Sequence, residues 1–464
     1  MLIRNSSFCC RICTVMMMLL GFIPDTSAEI VAYPAPPGLK TSPDFTVKVN
    51  NVPVWIERIG SKLDTLKYKL YSGRVMEDLN VANFSCSGKL EIRITASEKI
   101  DSFIIRPKIR GIRANVNGYE ITFTITGPQK LYLEINNLPH LAIFANPPEV
   151  NPPKQGDQEV VYFGAGSYSP GQINLQSNQT IYIEAGAIVY ANIRGTNLRN
   201  VKITGRGILQ GNIRISGTYN LEVNGIFIRN TSGWTNTLTN CHNCIYHDVK
   251  VFGYEAIYSV DGINPVSCTN FTIDDCFMRC RDDCVAIKSI NVNLRVDSIF
   301  VTNNVMVGWA CSDGVTIGFE LNGSPVQNVL VKNCDILYAR SGGGTGGHSG
   351  FSIVCDGPAW IQNIRYEDIR VEEQVEFKNL EFIVTNGTLY GNDPPGHIKG
   401  VYLKNIQWEN TGKPFILSGF SPDNLVEDIT FDNCKVGGKV LSGVGDADFR
   451  VNSLVKNIRF ITSK

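Results

Sequence analysis

Hydrophobic and polar residues alternate in short runs through the first third of the chain. The alternation is clear in four segments, residues 45–49, 90–94, 121–125 and 131–135. A period of two, interrupted by turn residues, is typical of half-buried antiparallel strands. We therefore predict a small β-sandwich over residues 29–150. Proline pairs at 147–148 and 152–153 indicate a linker after it.

A different pattern recurs from residue 156 onward. An asparagine or small residue is followed by an apolar-x-apolar triplet, often with a second triplet after a further Asn or Asp. Regular copies begin at Asn200, Asn220, Asn270, Asn328, Asn363 and Asn457, and less regular ones at Asn243, Ser298, Gly400 and Asp428. Repeats of a few tens of residues indicate a solenoid, and these hold short strands without a helical period. We predict an all-β chain in which a right-handed parallel β-helix occupies residues 156–464, because propeller blades need longer and more regular repeats.

Cysteines are placed within this repeat. Cys276, Cys334 and Cys434 stand at the second apolar position of their copies, which predicts that they are buried in the core. The closely spaced cysteines that could suggest zinc are Cys241, Cys244, Cys276, Cys280 and Cys284. Structural zinc sites need two matched knuckles, and this spacing does not supply them. We expect neither a metal nor another cofactor.

Charge and the first residues add a cellular context. The chain has 464 residues, with 43 basic and 43 acidic side chains. This balance argues against a nucleic-acid partner. Arg4 and Arg11 precede an apolar run over residues 14–23, and small residues follow at 26–28. This order predicts a secretory signal over residues 1–28, and the run is too short to span a membrane. We expect a secreted protein with no membrane contact after the signal is removed.

Three aspartates form the candidate chemical centre. Asp261 precedes Asp282 and Asp283 by about one solenoid turn. Residues one turn apart lie on adjacent coils, so we expect the three carboxylates to converge. Such a cluster raises at least one pKa, which is the condition that a general acid needs near neutral pH. A loop pair without function, like Asp274-Asp275, and a calcium site are the alternatives.

The residues around these acids resemble the polygalacturonases of glycoside hydrolase family 28. The resemblance lies in the segments 261–263, 271–273 and 282–288, and it extends over about residues 156–464. It implies a right-handed β-helix that hydrolyses glycosidic bonds with inversion. Asp282 resembles the general acid, and Asp261 and Asp283 resemble the pair that activates water. Lys288 matches a motif position and is a candidate substrate contact. A disulfide between Cys284 and Cys311 is also implied.

Two motifs depart from this family. Its Gly-His-Gly becomes 312–314 (Ser-Asp-Gly), and its Arg-Ile-Lys falls at 352–354 (Ser-Ile-Val). A uronate substrate would lose charge-assisted hydrogen bonds at these positions. We expect Asp313, which stands at the histidine position, to contact substrate. His348, in the glycine-rich loop 341–350, could replace the missing histidine, although a loop histidine can equally be solvated.

The layout of a β-sandwich followed by a β-helix is similar to that of the dextranase and isopullulanase family, glycoside hydrolase family 49. The main hypothesis is an inverting glycosidase that acts on a polysaccharide or oligosaccharide. The alternatives are a dextranase-like hydrolase of neutral α-glucans, a non-catalytic carbohydrate-binding protein and a polysaccharide lyase. Trp309 and Tyr338 could stack on sugars or be buried, and Glu320 could be a further polar contact. The sequence leaves the oligomeric state open.

Overall fold

The protein is built almost wholly from β-strands. The structure, a computed structural model, describes residues 28–60, 78–230, 233–253, 259–309, 312–340, 349–387 and 390–463. The predicted signal segment lies outside these residues except for Ala28. Two 3₁₀ helices, Lys108–Arg110 and Val444–Asp446, are the helices of the described part. None of its helices is long and apolar enough to cross a membrane.

The strands described between Ile30 and Asn146 form two sheets that enclose one apolar core. The six-stranded sheet contains β1 (Ile30–Ala32), β4 (Ile56–Ile59), β5 (Leu79–Cys86), β7 (Phe103–Arg106), β10 (Gln129–Ile135) and β11 (Leu141–Asn146). The five-stranded sheet contains β2 (Phe45–Val49), β3 (Val52–Val54), β6 (Leu90–Ala96), β8 (Ala114–Asn117) and β9 (Glu120–Ile125). The predicted alternation is present: Phe45, Val47 and Val49 are buried, and the residues between them are exposed. The period of two therefore predicts which side of β2 faces the core.

From Val160 the chain winds into a parallel β-helix with three strand-lined faces. The first face is the twelve-stranded sheet of β12 (Val160–Phe163), β14 (Thr180–Ile183), β16 (Arg199–Gly205), β19 (Tyr219–Asn224), β22 (His242–His247), β25 (Thr269–Asp274), β28 (Val296–Thr302), β31 (Val326–Lys332), β34 (Trp360–Glu367), β37 (His397–Lys404), β40 (Val426–Asp432) and β44 (Val455–Ile461). Strands β13 (Gly166–Asn174) and β15 (Ala187–Thr196) begin the other two faces.

The second face contains β17 (Ile208–Gln210), β20 (Phe227–Asn230), β23 (Lys250–Gly253), β26 (Phe277–Cys280), β29 (Val305–Gly308), β32 (Asp335–Ala339), β35 (Arg370–Val375), β38 (Gln407–Trp408) and β41 (Lys435–Val436), with β42 (Lys439–Val440) antiparallel to β41. The third face contains β18 (Ile213–Ser216), β21 (Asn236–Thr239), β24 (Ile263–Val266), β27 (Val285–Ser289), β30 (Val315–Leu321), β33 (Ser349–Cys355), β36 (Lys378–Val384), β39 (Phe415–Ser418) and β43 (Phe449–Val451). The predicted fold class is confirmed, whereas the domain boundaries stay a prediction.

The residue that begins each copy of the repeat, an asparagine in seven of the ten copies, has a specific conformational role. All ten predicted starting positions, from Asn200 to Asn457, have positive φ values between 51° and 70°. Asparagine and glycine tolerate this left-handed region better than other residues. The side chains also stack from coil to coil, since Asn243 donates to Asn220 at 3.3 Å and Asn270 donates to Asn243 at 2.8 Å. The repeat therefore marks a corner at which each coil bends.

The interior of the β-helix is filled by stacked aliphatic, aromatic and sulfur side chains. Cys276, Cys334 and Cys434 are fully buried in it, which confirms their predicted place in the core. The ten cysteines of the described residues are all buried free thiols. Cys284 is one of them, and its predicted partner Cys311 lies outside the described residues. The pairing of these two cysteines stays a prediction.

The sandwich packs against the second face of the β-helix. Strand β11 is buried on both sides, because Leu141 and Ile143 face the sandwich core while Ala142 and Phe144 face the β-helix. The β-helix supplies Ile188, Ile208, Phe227, Phe252, Phe277, Val305, Val307, Trp309, Leu337 and Tyr338 to this second apolar cluster. The interface leaves the third face of the β-helix for other contacts.

Candidate active site

The predicted acids lie where successive coils enter the third face. Ile263, Val285 and Val315 are in register in strands β24, β27 and β30, and each follows an aspartate by two residues. The backbone ladder continues through those aspartates, since Gly262 N–H donates to the Asp283 carbonyl at 2.8 Å. In the same way, Cys284 N–H donates to the Asp313 carbonyl at 3.0 Å. Three successive coils therefore contribute one aspartate each to a single row, Asp261, Asp283 and Asp313.

Backbone amides orient the aspartate pair between β26 and β27. Asp282 is partly exposed, and its carboxylate accepts hydrogen bonds from Ser259 N–H and Asp283 N–H, both at 2.9 Å. Asp283 is buried, and its Oδ1 accepts from Asp313 N–H at 2.8 Å. Because these donors belong to the backbone, both carboxylates are held by the fold itself. The pair is thus presented at one edge of the third face.

Asp261 is enclosed, and this changes its acidity. Only 2% of the residue is exposed, and its Oδ2 accepts a hydrogen bond from Asn264 Nδ2 at 2.7 Å. Burial, together with the neighbouring Asp282 carboxylate, raises the pKa of Asp261 to about 8, although Lys288 and Asn264 act in the opposite direction. At neutral pH this group is therefore predominantly protonated. A carboxyl with such a pKa in a cluster of aspartates suits acid–base catalysis.

Lys288 is the buried cation beside the acids. Its ammonium donates to Glu320 Oε2 at 2.8 Å and lies 4.8 Å from the centre of the Trp234 ring. Burial by itself would lower the pKa of Lys288, but the charges of Asp261 and Glu320 outweigh it and raise the pKa above its ordinary value. Lys288 is therefore charged throughout the physiological range. The structure brings it to the predicted acids, while a role in substrate binding stays a prediction.

Asp313 is a buried side chain with its own partners. Its Oδ1 accepts from Ser349 N–H at 2.6 Å, and its Oδ2 accepts from the Ser352 hydroxyl. Thr316 Oγ1 lies 2.7 Å from the same Ser352 oxygen. Asp313 and Ser352, one from each of the two motifs that depart from the family, are therefore in direct contact with each other. That Asp313 binds substrate stays a prediction, as does the role of His348, which lies outside the described residues.

Two aromatic candidates are buried away from the third face. Trp309 and Tyr338 are each 1% exposed and belong to the cluster beneath the sandwich. The guanidinium groups of Arg279 and Arg340 lie 4.3 and 4.2 Å from the Trp309 ring centre. These rings are interface residues rather than sugar platforms.

Sequence reasoning missed several polar contacts at the site. Asn264 holds Asp261, Trp234 covers Lys288, and Asp356 fixes the backbone at Glu320 through bonds of 3.1 Å from the N–H groups of residues 320 and 321. Asn264 could have been identified from the sequence, because it is a polar residue that interrupts an apolar run two residues after Gly262. Trp234 and Asp356 stand in turns of variable length, which carry no repeat pattern. In the part of the chain that the structure describes, no group of three or more His, Cys, Asp or Glu side chains could hold a metal ion.

Comparison with known proteins supports the resemblance. Residues 211–439 match glycosyl hydrolases family 28. A Vitis vinifera protein described as "Probable polygalacturonase" is 24% identical in an alignment of 238 positions that covers 39% of this chain and 48% of that protein. The chain thus spans about half the length of this relative. The chain resembles family 28 in its central part, as the residues around the acids predict.

Solved structures show the same architecture. Dex49A from Penicillium minioluteum superposes with a TM-score of 0.55 at 14% identity, over 92% of this chain and 96% of that one. An exopolygalacturonase from Thermotoga maritima superposes with a TM-score of 0.51 at 17% identity, over 65% of this chain and 84% of that one. These identities are low, so the superpositions establish the fold and leave the substrate to chemical argument.

Proposed function

We propose that this chain is a glycoside hydrolase that cleaves a polysaccharide with inversion, using Asp261, Asp282 and Asp283. The observation that carries this proposal is the placement of these carboxyls on adjacent coils, in a region that matches glycosyl hydrolases family 28. Inversion needs one protonated carboxyl for the leaving oxygen and one carboxylate for water. The enclosed Asp261 beside the partly exposed Asp282 supplies a pair that retains a proton near neutral pH.

The roles follow from exposure and hydrogen bonding. Asp282 is the accessible member of the pair, so it contacts the glycosidic oxygen and donates the proton as the bond to the anomeric carbon breaks. Asp282 receives this proton from Asp261, so the delivery leaves Asp261 as an anion. Asp283 and Asp261 then accept a proton from the water that attacks the opposite side of the sugar. One proton leaves the cluster and one returns, so the charge is unchanged over the cycle.

Replacing Asp282 tests the function. We expect Asp282→Asn to reduce the rate of reducing-sugar release by about 10²- to 10⁴-fold, which is the usual contribution of general acid catalysis. Asp448→Asn is the matched control, because this exposed aspartate pairs with the exposed Arg450. NMR of the first-formed product should show the anomeric configuration opposite to that of the substrate. Retained configuration would contradict the mechanism, and glycan binding without turnover by the parent would favour a non-catalytic binding protein.

The charges of the site favour neutral sugars over uronates as substrate. Ser352 and Val354 replace the two cationic residues of the family motif, and Lys288 is already paired with Glu320. None of these three positions offers a free cation to a substrate carboxylate. We therefore expect the parent to release sugar from dextran or pullulan faster than from polygalacturonate or rhamnogalacturonan. Preferential cleavage of polygalacturonate would overturn this choice and leave the glycosidase assignment intact.

We also propose that the protein is secreted. The basic, apolar and small-residue segments of residues 1–28 follow the order of a secretory signal. A polysaccharide is an extracellular substrate for many cells, which agrees with export of its hydrolase. N-terminal sequencing of protein recovered from the medium should give Glu29 as the first residue, and a protein that keeps residues 1–28 inside the cell would contradict the proposal.

A further inference from the structure

Glu320 is held in an unusual backbone conformation beside the acids. Its φ is 59°, in the left-handed region that disfavours side chains larger than asparagine. The Asp356 carboxylate accepts hydrogen bonds from Glu320 N–H and Leu321 N–H, both at 3.1 Å, and Asp356 is fully buried. A strained backbone persists only where its surroundings hold it in place. This segment of β30 is therefore built to direct the Glu320 side chain.

The Glu320 side chain meets the cation of the site. Its Oε2 accepts from Lys288 Nζ at 2.8 Å, while Trp234 lies against the same ammonium at 4.8 Å from its ring centre. Lys288 is 5% exposed, so this ion pair is largely removed from water and from salt screening. The Lys288 charge thus interacts with Glu320 on the following coil and with Asp261 on the preceding one.

We propose that Glu320 is a positioning residue that pairs with Lys288 and so competes with Asp261 for this cation. The inference rests on the proposed function for its catalytic meaning, although the pairing itself is independent of turnover. Without Glu320, the freed ammonium would neutralise an ionised Asp261 and release its proton. With Glu320 in place, Asp261 remains the proton store of the pair that it forms with Asp282.

The charged and titratable groups around Asp261 are consistent with this role. Among the described residues, the turn before β27 contributes Asp282 and Asp283, β26 contributes the Cys280 thiol, β27 contributes Lys288 and β30 contributes Glu320. The carboxylates of Asp282 and Glu320 raise the pKa of Asp261, and Lys288 lowers it. Removal of Glu320 takes away one raising influence and strengthens the lowering one. Both changes lower the pKa of Asp261.

Infrared titration of the protonated carboxyl tests the proposal without turnover. The band is assigned to Asp261 by its loss in Asp261→Asn. We expect Glu320→Gln to lower the midpoint of its titration by about one to three pH units, the usual effect of a nearby opposite charge. Lys288→Met should shift the midpoint upward, which provides a second test if Glu320→Gln does not fold. Glu367→Gln is the control, since this glutamate pairs with Lys332 and Arg365 on the first face.

The pH profile of kcat/KM gives the second readout. Its basic limb should move to lower pH in Glu320→Gln by the same amount as the infrared midpoint, while Glu320→Asp restores part of the shift. An unchanged midpoint in Glu320→Gln, or the absence of the Asp261 band from the parent, would overturn the proposal. A shifted midpoint in a protein that turns over no polysaccharide would support the Glu320 role and refute the glycosidase assignment.

Discussion

At the scale of single residues, two neighbouring carboxyls have opposite surroundings. Asp261 is enclosed and accepts one hydrogen bond from an amide side chain, whereas Asp282 is partly exposed and accepts two from backbone N–H groups. Burial disfavours a carboxylate anion, and backbone donors stabilise it. The fold therefore gives the two aspartates the different surroundings that the proposed roles of proton store and proton donor require.

Asp261 should make the stability of the protein depend on pH. Between about pH 4 and pH 8 the folded protein keeps a proton on Asp261 that the unfolded chain has released, so the free energy of unfolding falls as pH rises. The slope is at most about 1.4 kcal/mol per pH unit. Asp261→Asn should remove this pH dependence. The free energy of unfolding of the variant should therefore rise relative to that of the parent as the pH increases to about 8, and the difference between the two should be constant above that pH.

Urea unfolding at a series of pH values from 5 to 9 measures this effect. Asp448→Asn is the control, because its carboxylate is exposed and should leave the slope unchanged. Identical pH dependence of the parent and Asp261→Asn would show that Asp261 titrates normally in the folded protein.

At the scale of elements, the corner of each coil depends on a left-handed residue. Asn243 has a φ of 55°, although it is exposed and contributes nothing to the core. Its side chain joins Asn220 on one coil to Asn270 on the next. Asparagine at this position thus combines conformational tolerance with a coil-to-coil hydrogen bond.

Substitution of Asn243 separates these two contributions. We expect Asn243→Ala to lower the free energy of unfolding by about 1–2 kcal/mol, because a β-carbon is disfavoured in the left-handed region. Asn243→Gly should cost less than Asn243→Ala, since glycine accepts the conformation and loses only the side-chain bonds. Denaturant unfolding of both variants measures the difference, and an alanine variant as stable as the glycine variant would show that backbone conformation is not the cause.

The same elements show what the sequence could and could not predict. The apolar-x-apolar repeat predicts the coils because every turn buries the same positions, and one-turn spacing predicts that Asp261 and Asp283 lie side by side. The Lys288–Glu320 pair could not be predicted in this way, because the register between strands β27 and β30 shifts after Ile287. The burial of Trp309 could not be predicted from the repeat either, because the surface that covers this side chain belongs to the sandwich.

At the scale of the whole molecule, the sandwich and the β-helix share buried charges as well as apolar side chains. Arg106 of β7 is fully buried, and it donates to Glu372 and Glu373 of β35 as well as to Glu134 of its own sheet. Lys130 in the sandwich pairs with Asp248 of the β-helix at 2.9 Å. Charges buried in this way require partners on both sides, so the interface fixes one relative arrangement of the two parts.

Arg106 is therefore the residue at which the coupling of the two parts can be tested. Arg106→Ala leaves Glu372 buried without its cation, and we expect a loss of about 3–5 kcal/mol in the free energy of unfolding. The double variant Arg106→Leu with Glu372→Leu should recover part of this loss, because two apolar side chains replace an ion pair that was costly to desolvate. Arg450→Ala, at an exposed pair with Asp448, is the control and should change stability little.

Calorimetry should show one transition for the parent, since the apolar cluster and the ion pairs unfold together. A parent that unfolds in two separate transitions, with Arg106→Ala affecting neither, would show that the two parts are energetically independent.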